Sequence, residues 1–194
     1  MSDLIKPGQG LIYMKVGTHA QESLEDIIKR KTQEIEDAGL AFWGYGGSTC
    51  HPQTMVQPFA RKYEEHGGVI YLCMQQMESK HFAPQLQADE YSVDGVKWEP
   101  IPKGIRVLGS RYALLIRHLR PENFDLPLEW TRVAIGNSMG ANGSKYIAGK
   151  VDKACLEIVD AGTALPSGVV SRPIHIGLVA DLVKPYAVHV RNRP

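Results

Sequence analysis

The residues best equipped for chemistry lie together at 42–52, reading Phe42-Trp43-Gly44-Tyr45-Gly46-Gly47-Ser48-Thr49-Cys50-His51-Pro52. Glycines let the backbone approach a ligand closely and aim successive N–H groups at one point, and a helix starting at Pro52 adds a field that favours an anion. Trp43 or Tyr45 offers a ring on which a base can stack. The same residues also fit a tight turn with Trp43 in the core, because no phosphate-binding fingerprint is complete. A second loop, Gly136-Asn137-Ser138-Met139-Gly140-Ala141-Asn142-Gly143-Ser144-Lys145, supplies amide, hydroxyl and ammonium donors. It is not a Walker loop, since no hydroxyl residue follows Lys145. Asn142 or Ser144 also suits a helix cap. The expected ligand site is therefore Trp43, Tyr45, Gly46, Gly47, Ser48 and Thr49 with Asn137, Ser138, Asn142 and Lys145.

Cys50-His51 suggests a nucleophile and its base, but adjacent side chains point apart, so the thiol lacks a local activator. The seven histidines, His19, His51, His66, His81, His118, His175 and His189, show no His-Glu-x-x-His spacing, and no Cys-x-x-Cys pair occurs. No catalytic residue, metal site or cofactor is expected.

The elements that position these loops follow from periodicity. Residues 11–16 are a short apolar run closed by Gly17, and Leu24, Ile27, Ile28, Ile35 and Ala38 then recur on one helical face. Ser23 and Asp26 provide a capping start and Gly39 a stop, leaving Glu25, Lys29, Lys31 and Glu34 as a solvated face. A strand over 40–45 leads into the first glycine loop. Met55, Val56, Phe59, Ala60 and Tyr63 predict a second helix, interrupted at Pro58. Residues 69–74 read as a buried central strand carrying Cys73. Asp94-Gly95 predicts a hairpin that sets Tyr91 opposite Trp98. Residues 105–108, 112–119 and 131–135 read as strands, with 121–127 a loop. From Ser144 the residues Ile147, Val151, Ala154, Cys155 and Ile158 predict a third helix ending at Gly162.

The segment 161–173, rich in Gly, Ser, Thr and Pro, reads as a linker to two apolar strands around Lys184-Pro185 within 174–191. Such strands would be a hazard as open edges, so they either complete the sheet or pair with a second copy, which would make a homodimer. The expected fold is α+β, a single domain over 1–194 with a mixed, mainly antiparallel sheet packed by about three helices.

Tyr13-Met14-Lys15-Val16-Gly17-Thr18-His19, followed by a helix, faintly resembles the first motif of ADP-ribosyltransferase-like proteins, in which a strand ends in His-Gly-Thr. The resemblance spans about ten residues and has Val16 where that motif has histidine. It implies an NAD-consuming transferase, with His19, Tyr45 and a glutamate meeting in one cleft.

The 194 residues carry 22 Lys and Arg against 21 Asp and Glu, a net charge of +1, so no broad basic field exists for long duplex nucleic acid. No stretch approaches the apolar length of a membrane span. No secretory or transit signal is read at the amino terminus, and three widely spaced cysteines suit a reducing compartment, so a cytoplasmic location is expected. These observations together predict a non-catalytic binding protein for a nucleotide-like small molecule or the end of a nucleic acid. Alternatives are an adaptor or inhibitor docking on a larger protein complex through Trp98 or Trp130, and the transferase.

Overall fold

The computed structural model describes residues 3–46, 50–80, 84–148 and 151–192. The chain forms β1 (Gly10–Thr18), α1 (Leu24–Ala38), β2 (Ala41–Tyr45), α2 (Gln53–Gly67), β3 (Tyr71–Lys80), β4 (Glu90–Ser92), β5 (Glu99–Pro100), β6 (Tyr112–Pro127), β7 (Thr131–Val133), α3 (Gly143–Tyr146), β8 (Lys153–Ile158) and β9 (Pro173–Arg191). The fold is α+β, with one sheet in the order β2-β6-β9-β3-β1-β8-β7 and the β4-β5 pair attached to β9. Among the described strands only β1 and β3 pair in parallel; their other pairings are antiparallel.

Strand alternation divides the core. Ile12, Val16, Trp43, Leu72, Met74, Leu114 and Ala180 face α1 and α2, which contribute Ile27, Val56, Phe59 and Tyr63. Their sequence neighbours Leu11, Tyr13, Cys73 and Val179 face the other way, against Leu126, Leu128 and Ile147. Around the far end of the sheet, Phe42, Leu115 and Val188 pack with Ile105 and Val107. Burying both sheet faces is what makes β3 the near-continuous apolar run expected of a central strand. Ser23 caps α1 by accepting from the Asp26 N–H at 3.1 Å, and Gly39 ends it in the left-handed region at φ 79°. α2 continues through Pro58.

Several expectations are corrected. The third predicted helix shrinks to the single turn of α3, and 153–158 is strand β8. That strand lies between β1 and β7 with Ala154, Cys155, Leu156 and Ile158 all buried, so its apolar positions satisfy a helical period as well as a strand period. Residues 121–127 are strand, not loop, because β6 keeps pairing with β9 as far as Pro127, across bulges, while 105–108 makes only an isolated pairing between Leu108 and Gln87. The hairpin register sets Tyr91 opposite Glu99 instead of Trp98. The Asp94 carboxylate accepts from the N–H groups of Val96 and Lys97, each at 2.8 Å, and this turn widens the loop.

The C-terminal segment is one strand, not two. Pro185, which cannot donate to a ladder, falls where β6 and β9 slip register between the pairs Ile116–Leu182 and Leu114–Ala187, so the strand bulges and resumes. β9 pairs along both sides within its own chain, with β6 on one and β3 and β4 on the other. The edges that motivated a second copy are thus covered internally. No helix is long and apolar enough to cross a membrane among the described residues.

Candidate functional site

α1 carries the first half of the site. Its predicted solvated face is only partly so: Lys31 is 3% and Glu34 4% exposed. The segment 106–111, here termed the strap, crosses over them. Lys31 Nζ donates to Glu34 Oε2 at 2.8 Å and to the Arg106 carbonyl at 2.5 Å. Arg30 donates to the same Arg106 carbonyl and to Glu34 Oε1, each at 3.1 Å, and grips Glu22 through two nitrogens at 2.5 and 3.1 Å. Glu34 Oε1 also accepts the Arg106 N–H at 3.1 Å, so the carboxylate ties strap to helix. Burial pushes the Lys31 ammonium down to about 8, and the neighbouring Glu34 offsets only part of that effect. An ammonium has three hydrogens; two are committed, and Lys31 lines the cavity described next.

The strap is then fixed step by step toward β2. The His19 ring meets the Leu108 carbonyl at 3.1 Å, and Ser110 Oγ donates back to that carbonyl at 3.3 Å. Ser110 fits only because residue 44 is glycine: a Cβ there would sit 2.3 Å from Ser110 Oγ. Between α1, the strap and the ends of β1, β2 and β8 lies a cleft of about 860 Å³. Its apolar lining includes Val16, Leu24, Ile27, Trp43, Met77 and Leu108. Its charged lining is Lys15, Arg30, Lys31, Arg106, Arg111 and Lys153 against Glu22 and Asp152, an excess of cations in a nearly neutral chain. Lys15 pairs with Asp152 at 3.7 Å, and the Lys153 ammonium lies 5.8 Å from the Tyr45 ring centre. No described residue pairs with the guanidinium of Arg106 or Arg111.

The expected site residues are distributed unevenly about this cleft. Trp43 and Gly46 line it. Tyr45 does not: it is buried against Tyr112 with ring centres 5.3 Å apart, and burial drives its hydroxyl far above the ordinary range. Gly47, Ser48 and Thr49 lie outside the described residues. Among the described residues the second loop meets the first where the His51 ring covers Gly136, whose added Cβ would be 2.3 Å from His51 Nε2. Asn137 is exposed and Ser138 half-buried, and neither lines the cleft. Asn142 caps α3 by accepting from the Ser144 N–H at 3.0 Å and donates to the Glu129 carbonyl at 2.8 Å. Lys145 donates to the Ser167 carbonyl at 2.9 Å. These last residues secure neighbouring loops.

His19 and Glu22 border the cleft, but Tyr45 does not join them, and Glu22 is held by Arg30. Among the described residues no cluster of three metal-ligating side chains occurs. Sequence reading missed Lys15, Arg30, Lys31, Arg106, Arg111 and Lys153. The available signal was the spacing of Arg30 and Lys31 ahead of Glu34, which puts all three within reach on α1.

No family model, curated protein or solved structure matches the chain.

Proposed function

We propose that this chain is a binding protein for a nucleotide-like anion, which it takes into the cleft between α1 and the strap. The observation that carries the reading is Lys31, a buried ammonium on the wall of a cavity, held by Glu34 and the Arg106 carbonyl. A charge in so dry a position interacts strongly with an incoming anion and costs little reorganisation when it does. The cavity volume suits a small organic ligand, and its walls combine apolar side chains with an excess of cations. Trp43, only 4% exposed, contributes to the apolar wall against which a base would rest. Both carboxylates on the wall are engaged in ion pairs, which favours capture over proton-transfer chemistry.

Calorimetry with AMP, ADP and ATP tests the proposal. Binding is expected to strengthen with phosphate charge, to weaken as salt rises, and to disappear in a Lys31→Met variant that remains folded. Absence of binding by all three nucleotides at millimolar concentration overturns it.

A further inference from the structure

The cations of the cleft fall into two groups. At the α1 end, Arg30, Lys31 and Arg106 stand against Glu22 and Glu34. At the β2 end, Lys15 and Lys153 stand with Arg111 against Asp152 alone. The second group is placed by contacts: Lys153 lies over the Tyr45 ring, Lys15 pairs with the residue before Lys153, and Arg111 packs beside Gly46. The strap joins the groups, since Arg106 is bonded to α1 and Arg111 borders β2, five residues further on. Five residues span at most about 17 Å. Each end keeps a net positive balance after internal pairing. The same cleft has an apolar lining that includes Val16, Trp43 and Leu108.

Resting on the nucleotide-anion reading, we propose that the preferred ligand carries negative charge at two separated points flanking a flat apolar body, as a dinucleotide does. A mononucleotide concentrates its phosphates at one end and satisfies one cationic group only, leaving the other facing solvent. A ligand phosphorylated at both ends of a nucleoside meets Lys31 and Arg106 with one phosphate and Arg111 and Lys153 with the other. The base between them lies along Trp43. Arg106 and Arg111 are both exposed and have no described partner, so each is available to turn toward a phosphate, where a guanidinium bonds in bidentate fashion.

The test compares two probes of similar total charge by isothermal titration calorimetry of the full chain at one ionic strength. ADP carries its phosphates together, and the 5′-phosphorylated dinucleotide pApA carries them on either side of a nucleoside. The dinucleotide is expected to bind about tenfold tighter or better. Arg106→Ala and Arg111→Ala should each weaken pApA by about three- to tenfold, whereas ADP should respond to only one of the two. Both positions are exposed, and an unchanged melting curve confirms that the variants fold. Equal affinity for the two probes, or ADP weakened alike by both variants, means one anion subsite and overturns this inference while the nucleotide reading stands. Binding of neither probe removes both.

Discussion

Replacing Lys31 with methionine should make the protein more stable at neutral pH while abolishing its ligand binding. The ammonium is 3% exposed and its acidity is displaced from 10.5 to about 8. A lysine whose folded value is depressed opposes folding while charged. Below pH 8 the cost is fully present. Between 8 and 10.5 the folded protein sheds a proton that the unfolded chain retains, so stability rises with pH across that window. The displacement corresponds to a cost on the order of 3 kcal/mol. Methionine has a similar volume and no charge. The groups Lys31 serves are not stranded, because Arg30 also donates to Glu34 and to the Arg106 carbonyl. The displacement already includes the pairing with Glu34, so only the bond to the Arg106 carbonyl is subtracted, at about 1.5–2 kcal/mol for a charged donor, which leaves a net gain of roughly 1 kcal/mol at pH 7. Urea denaturation of both proteins from pH 6 to 10.5 measures this, and the difference curve cancels tyrosines and exposed lysines common to both. The gap should shrink above pH 8 and reverse by 10.5. A variant less stable at pH 7, or a difference curve flat across the window, refutes the account of Lys31 as a buried charge kept at the expense of the fold.

Other expectations concern the strap and the loops. Gly44→Val drives a side chain into Ser110, so it should displace the strap, weaken nucleotide binding more than tenfold and cost about 1–3 kcal/mol in thermal unfolding. Gly136→Ala should cost a similar 1–3 kcal/mol, because φ is 77° and His51 occupies the Cβ position, yet calorimetry should find nucleotide affinity unchanged. Burial disfavours the Glu129 carboxylate, but the Ser171 hydroxyl and the Arg172 N–H outweigh it and hold its pKa below the ordinary carboxylate value. Its contribution is therefore present above pH 4.5 and lost as pH falls through the folded value; Glu129→Ala should flatten that acid limb and speed proteolysis within 160–172. Truncation after Gly168 removes β9 from between β6 and β3, and circular dichroism should show an unfolded or insoluble product.

What could be read from sequence was local. Ser23, Asp26 and Gly39 bound α1 because caps are decided within a few residues, and 69–74 announced a central strand because burial on both faces leaves a solid apolar run. Periodicity is ambiguous at 153–158, where Ala154, Cys155 and Ile158 satisfy two periods at once. The glycine loop was recognised through Trp43 and Gly46, which do line the cleft, but its cationic wall was not. Lys31 and Glu34 look like solvated helix residues until Arg106, more than 70 positions later, closes over them. No pattern within α1 encodes that approach. β9 was read as two strands because Lys184-Pro185 signals a break, and the compensating bulge depends on a partner strand far earlier in the chain.

The place of β9 also sets the order in which the molecule can be assembled. During synthesis β2 and β6 can pair with each other, and β3, β1, β8 and β7 can do likewise, but the two part-sheets have no shared strand until residues 173–191 emerge. Every pairing across that seam joins segments distant in sequence, the kind of closure that slows folding. Meanwhile β6 and β3 each present an unpaired edge flanked by apolar side chains, available to any neighbouring chain in the same state. A nascent chain paused before residue 173 is thus the form most exposed to self-association, and β9 is the strand that ends that exposure on both sides at once.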